Sequence, residues 1–157
     1  MKKVKDINLR TIFLQKIKIA IVSSTFRKEV SDNLEKHCLT TLEEKGLQSS
    51  QIDLLRVPGS WEIPLVVRKL AKKGAYDAII TFGAIVKGKT YHFEQIANEC
   101  SRALMDISLQ YGIPVIFEVL AVYDLHDAIE RAKRKKENKG IEAANTALEM
   151  ISILSKI

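Results

Sequence analysis

The sequence predicts a single α/β domain, an open sandwich in which a parallel sheet lies between helices. Three observations carry that expectation. Short β-branched runs alternate with longer amphipathic segments, the pattern of strand, helix and returning parallel strand. The strand candidates are almost continuous in apolar residues, as strands covered on both faces must be. The chain has 157 residues, 46% of them hydrophobic, which fills one core of ordinary size, and no low-complexity linker or internal repeat divides it.

Taken in order, Lys18 to Ser23 (KIAIVS) is the first strand. Val30, Leu34, Cys38 and Leu42 then recur every four residues as one helical stripe, and Gly46 suits the left-handed position that ends a helix. Ile52 to Val57 is the second strand, broken by Pro58 and Gly59. Ser60 reads as the N-cap of a helix that tolerates Pro64 in its first turn, turns Ile63, Val66, Val67 and Leu70 inward and stops near Gly74. Asp77 to Phe82 is the third strand, and the glycine-punctuated run Gly83-Ala84-Ile85-Val86-Lys87-Gly88 is expected to leave it as a loop. A long helix begins near Tyr91, buries Phe93, Ile96, Ala97, Cys100, Leu104 and Ile107, and stops at Gly112 and Pro114. Val115 to Val122 is the fourth strand, and Asp124 caps a short helix through Arg131. A last helix from about Gly140 turns Ala144, Ala147, Ile151 and Leu154 inward. Residues 1–14 are expected to be a basic N-terminal arm or edge strand, Ile7 to Leu14 adding to the sheet or pairing with another subunit, ahead of a main domain at 15–157.

Composition narrows the function. The net charge of +6 is concentrated: residues 1–18 and 131–139 each carry +5, which leaves the rest of the chain at −4. Such short basic clusters mark solvated helix ends or small-anion seats more often than a nucleic-acid face, and neither interleaves aromatic residues, so no nucleic-acid partner is expected. No apolar run approaches a membrane span and the N-terminus lacks a secretory h-region, so neither membrane contact nor export is expected and the protein is placed in the cytoplasm. Cys38 and Cys100 lack any paired Cys/His spacing and read as reduced, structural thiols, with no metal site.

In open α/β sheets ligands bind beyond the carboxyl ends of the strands, so those residues are where chemistry is expected. The first strand runs into Ser24-Thr25-Phe26, the second into Pro58-Gly59-Ser60-Trp61-Glu62, the third into the glycine run and Thr90-Tyr91-His92. Phe26, an aromatic among polar residues and outside both helical stripes, suits stacking on a flat heterocycle as well as it suits a core position. Trp61 fits helix-start packing equally well, and Glu62 is favoured by the helix dipole whatever its function. Residues 60–63 leave first-turn amides free for a ligand. Of three histidines, His37 and His126 read as surface residues. His92 opens a helix after a glycine turn, where an imidazole can exchange protons with a bound substrate. No Ser-His-Asp order accompanies it. The Gly88-Lys89-Thr90 turn is a weak anion cradle, without the P-loop or dinucleotide fingerprints, and Arg131 adds a fork that matches phosphate.

The segments VPGSWEIP (57–64), GAIVKGKTYHFE (83–94), GIPVIFEVL (112–120) and ERAKRKKENKG (130–140) together resemble the lumazine synthase family of riboflavin synthesis, over roughly residues 15 to 155. The resemblance implies a flavodoxin-like three-layer sandwich with a four-stranded parallel sheet. It implies condensation of 5-amino-6-(D-ribitylamino)uracil with 3,4-dihydroxy-2-butanone 4-phosphate to 6,7-dimethyl-8-ribityllumazine, phosphate and water, without cofactor or metal. Carried over by motif, Phe26 stacks on the pyrimidine, Ser60, Trp61 and Glu62 hold the ribityl chain, and Gly83, Ala84, Ile85 and Val86 contact the ring. Lys89, Thr90 and Arg131 hold the phosphate, His92 is the acid/base, and Phe117, Arg131 and Lys139 come from a neighbouring subunit. The implied assembly is a homopentamer or an icosahedral shell of twelve pentamers, with riboflavin synthase as a candidate partner. Tyr91 and the charged stretch Lys133 to Glu137 depart from the family pattern. The alternatives are a non-catalytic flavin or lumazine carrier on the same fold, a small nucleic-acid binder, and a receiver-type signalling domain, which would need acidic residues for Mg²⁺ at the end of the first strand.

Overall fold

The computed structural model describes residues 11–133, 135 and 137–157. In chain order the elements are α1 (Thr11–Leu14), β1 (Ile19–Ser24), α2 (Lys28–Glu44), β2 (Ile52–Val57), α3 (Ile63–Lys73), β3 (Ala78–Val86), α4 (His92–Tyr111), β4 (Val115–Val122), α5 (Leu125–Lys133) and α6 (Lys139–Leu154). Single 3-10 turns at Ser49–Gln51 and Ser60–Glu62 precede β2 and α3. The strands form one parallel sheet in the order β2-β1-β3-β4. From β1 the chain steps outward to β2, then returns to the other side of β1 for β3, so strand order reverses between β1 and β3. This is the flavodoxin-like α/β three-layer sandwich the sequence predicts.

Alternation along the strands builds the two hydrophobic layers. Ile19 and Ile21 of β1 with Ala78, Ile80 and Phe82 of β3 face α2, α5 and α6, where Val30, Leu34, Cys38, Leu42, Ala128, Ala144 and Ala147 meet them. Ala20, Val22, Ile79 and Val119 face α3 and α4, against Ile63, Val67, Leu70, Cys100, Leu104 and Ile107. The four-residue stripe of α2 is wholly buried, and each large side chain so removed from water contributes roughly 1.5–3 kcal/mol.

Three expectations need correction. β3 does not end at Phe82; it continues through Gly83, Ala84, Ile85 and Val86, which pair with Val119, Leu120, Ala121 and Val122 of β4. Gly83 is there for close approach rather than for a turn, since a Cβ on it would lie 2.8 Å from Ser60 Oγ. Ser60 is not an N-cap: it heads the 3-10 turn, is buried, and caps nothing with its side chain. Leu154 sits at the frayed end of α6 and is 38% exposed, not inward. Of the proposed edge strand, residues 7–10 lie outside the described residues and Thr11–Leu14 is a helical turn, with Phe13 and Leu14 packed on the α2 side of the core.

The joint between α5 and α6 is fixed by two residues. Asn138 is buried; its Oδ1 accepts from the Gly140 and Ile141 amides at 2.9 and 3.2 Å, and its Nδ2 donates to the Ala132 carbonyl at 2.9 Å. One side chain thus caps the start of α6 and ties it to the last turn of α5. Gly140 lets α6 cross α2 closely, since a Cβ there would stand 2.4 Å from the Leu34 carbonyl oxygen. Asn138→Ala and Gly140→Ala should each lower stability in urea denaturation by about 2 kcal/mol or more. Gly88→Ala, whose added Cβ meets nothing within 4 Å, should leave the midpoint unchanged; equal midpoints for the two glycine variants would contradict this packing.

Candidate active site

The carboxyl ends of β2, β1 and β3 stand side by side, so the loops that follow them share about 10 Å of the sheet's width. The loop after β1 is sewn to the one after β2: the Thr25 amide donates to Val57 O at 2.8 Å and the Phe26 amide to Pro58 O at 3.1 Å. Ser24 Oγ also accepts from the Phe26 amide at 3.2 Å, which pins the residue locally while its ring stays 63% exposed. Arg27 follows in the left-handed region at φ 60°, a costly backbone for a non-glycine residue, and sets its guanidinium carbon 5.3 Å from the Phe26 ring centroid. Trp61, 59% exposed, and Glu62 project from the 3-10 turn after β2. Two large rings left in solvent at one end of the sheet are the mark of a binding crevice.

Register supplies the floor of that crevice. β1 follows β3 only as far as Ser23 opposite Phe82, whereas β4 follows it to Val122 opposite Val86. Alternate residues of a parallel strand face each neighbour, so Gly83 and Ile85 are bonded to β4, while on the β1 side the peptide groups of Ala84, which is buried, and Val86 have no strand partner. Buried peptide groups that lack a partner call for one, and a polar heterocycle supplies it.

Beyond Val86 the chain turns through the exposed Gly88, Lys89, Thr90 and Tyr91, and α4 begins at His92, also exposed. The first-turn amides of α4 have no helical partner and can meet an anion, apart from that of Glu94, which bonds its own carboxylate. Lys87, at the start of the turn, is ion-paired with Glu94 in the first turn of α4.

Phe26, Ser60, Trp61, Glu62, Lys89, Thr90 and His92 are thus gathered at the ends of three adjacent strands. Gly83, Ala84, Ile85 and Val86 form the β3 edge beneath them. The remaining candidates lie elsewhere. Arg131 and Lys139 line a cleft of about 500 Å³ with Asp127, Glu130, Glu137 and Glu142, on the α5–α6 side. Phe117, 45% exposed, lies in a groove along β4 between α4 and α6, with Ser108, Glu118, Thr146 and Met150.

Three features escaped the sequence reading. Asn138, just before Lys139, fixes that lysine's backbone; an Asn two residues before a glycine at a helix start was the available signal. The Lys87–Glu94 pair spans seven residues across a turn and has no periodic signature. Glu118 sits on β4 beside Phe117, where burial pushes its carboxyl up to about 7; Lys139 opposes the shift and Glu142 adds to it. Both thiols are free and buried, which pushes Cys38 up to about 12 and Cys100 up to about 11, so neither is a thiolate nucleophile. Among the described residues no cluster of His, Cys, Asp and Glu is placed to hold a metal ion, and no helix is long and apolar enough to cross a membrane.

A parallel sheet whose strand order reverses between β1 and β3 defines a flavodoxin-like protein, a class in which ligands bind beyond the carboxyl ends of the strands. Within that class, the sequence model of the 6,7-dimethyl-8-ribityllumazine synthase family matches residues 16–155, nearly the whole chain. The chain belongs to this family, which supports lumazine-synthase-type chemistry and a transferase-type enzymatic role.

Glu118 gives a stability test. Its carboxyl stays protonated in the folded chain up to about pH 7, whereas the unfolded group ionises near its ordinary value of 4.5. The folded state therefore binds the extra proton between those values, and stability declines as pH rises through that window. Glu118→Gln should match the parent near pH 4.5 and melt higher by roughly 3–6 °C at pH 8, about 1–2 kcal/mol after allowance for solvent screening. Equal melting temperatures at pH 8 would contradict the assignment.

Proposed function

We propose that the chain condenses 5-amino-6-(D-ribitylamino)uracil with 3,4-dihydroxy-2-butanone 4-phosphate to form 6,7-dimethyl-8-ribityllumazine, with release of phosphate and water. The observation that carries this reading, beside the family match, is the crevice floor: the β3 edge at Gly83–Val86, where Ala84 and Val86 lack a strand partner on the β1 side, flanked by exposed Phe26 on one side and the anion turn on the other. A pyrimidine with amide-like edges stacks on Phe26 and hydrogen-bonds that edge, while Ser60, Trp61 and Glu62 hold the ribityl hydroxyls. The phosphate of the second substrate sits on the amides at the start of α4, with Lys89 and Thr90 beside it.

The reaction moves protons at imine formation, phosphate elimination and ring closure. His92, at the mouth of the turn, serves those steps as acid and base without a covalent enzyme intermediate. Much of the acceleration comes from holding two soluble reactants in register, an effect that reaches about 7–11 kcal/mol at its ideal limit.

Arg131, Lys139 and Phe117 complete the site from a second copy of the chain. None of the three lies on the loops after β1, β2 and β3 that carry the other candidates, which supports that reading. So does the exposed apolar surface: Met105 and Leu109 of α4 are 60% and 75% exposed and Phe117 of β4 45%, and such side chains need a cover. The assembly is a homopentamer, alone or as one of twelve in a shell, and a stable monomer in sedimentation would overturn it.

Mixing the two substrates with the purified protein should produce lumazine absorbance. His92→Ala should lower kcat by up to about 10²-fold yet leave measurable turnover, because proximity survives the loss of the proton carrier. Arg131→Ala should raise KM for the butanone phosphate by about 10-fold or more, with a smaller change in KM for the pyrimidine. Binding of both compounds without product would favour a carrier. An unchanged kcat in the histidine variant would remove His92 from the mechanism.

A further inference from the structure

We propose that Lys87 and Glu94 act as a clasp that holds the Gly88–Tyr91 turn in its anion-accepting shape, which makes both of them positioning residues for the phosphate-bearing substrate. The proposal rests on the reading of that turn as the phosphate seat.

The turn has little else to hold it. Gly88, Lys89 and Thr90 are exposed and, among the described residues, make no hydrogen bond to a neighbouring element. Its two ends are fixed: the Lys87 amide donates to Val122 O at 2.9 Å, and the Tyr91 carbonyl accepts from the Gln95 amide at 3.3 Å. The side chains of Lys87 and Glu94 join those ends directly, Nζ to Oε1. The lysine is further confined by two rings, with Nζ 5.4 Å from the Phe93 centroid and 5.9 Å from that of Tyr123, and the rings are 6.0 Å apart. On the other side, Glu94 Oε2 is buried and has no hydrogen-bond partner among the described residues, so the carboxylate is enclosed rather than free to swing into solvent.

The ion pair raises the Lys87 pKa and lowers that of Glu94, so both stay charged across the working range. At 42% and 28% exposure such a pair contributes little to global stability. Its effect is local. It keeps four residues from wandering between their anchors, so that the free amides converge before the phosphate arrives and less order has to be imposed on binding. It also neutralises Lys87, which leaves the amides and Lys89 as the attractive part of the turn.

The signature of such a role is weaker binding of phosphate with the chemical step unchanged. Lys87→Met and Glu94→Ala should each raise KM for the butanone phosphate, and the inhibition constant of inorganic phosphate, by about 5–30-fold. KM for the pyrimidine and kcat should stay within about 3-fold. The double variant should be no worse than the poorer single one, because either change opens the clasp. Lys87→Arg, which keeps the pair, should stay close to the parent, and it still reads the proposal if a single variant fails to fold. Unchanged phosphate constants, a fall in kcat with phosphate affinity intact, or additive losses in the double variant would overturn the clasp. If the parent protein makes no lumazine, the functional reading fails on its own, and calorimetric titration with inorganic phosphate decides the clasp. Weaker binding by Lys87→Met than by the parent supports it; equal binding, or no binding by the parent, overturns it.

Discussion

The open end of this molecule depends on the unequal pairing of its third strand. β3 has β1 on one side and β4 on the other, and its early residues are buried on both faces. Its two neighbours stop at different heights. β1 leaves after Ser24 and bends toward the loop beyond β2, while β4 accompanies β3 four residues further, from Gly83 to Val86. A half-paired ledge results, rigid because one side is laddered and receptive because the other is not. Each candidate group at the crevice takes its position from that ledge or from a loop bonded beside it.

Small atoms and short side chains do much of the positioning. Gly83 admits Ser60, so the turn that carries Trp61 and Glu62 settles against β3 rather than above it. Gly140 admits the backbone of α2, and Asn138 bonds both helices at the α5–α6 joint. These contacts are close because parallel layers at native density leave little room for adjustment: a methyl group at Gly140 runs into the backbone of α2, whereas one at Gly83 meets the side chains of Ser60 and Val119. Lys139 takes its place at the start of α6 from the Asn138 cap, and Arg131 belongs to the helix whose last turn that asparagine ties.

Much of this architecture could be read from residue order, and the exceptions have definite causes. The α2 stripe of Val30, Leu34, Cys38 and Leu42 and the strands Ile52–Val57 and Val115–Val122 follow from periodicity, because burial on one or both faces leaves a simple pattern. The continuation of β3 past Gly83 is not legible in the sequence, because glycine signals a loop as readily as it signals contact with a side chain from another loop, and only the fold tells the two apart. Ser60 has the right chemistry for a cap, yet its side chain packs against Gly83 of β3 instead. His92, Phe26 and the glycine turn were legible as unusual residues at strand ends. Their union with Arg131 and Lys139 was not, since one chain places those two on a different layer.

The two buried thiols have a practical consequence. With Cys38 enclosed by α2 packing and Cys100 under α4, both shielded and reluctant to ionise, the folded chain offers alkylating reagents a quiet background. A single cysteine introduced on an exposed loop would then be the sole accessible handle for a fluorophore or spin label. Distances between subunits, and motion of the loops around the crevice, would become measurable without first removing the native sulfur.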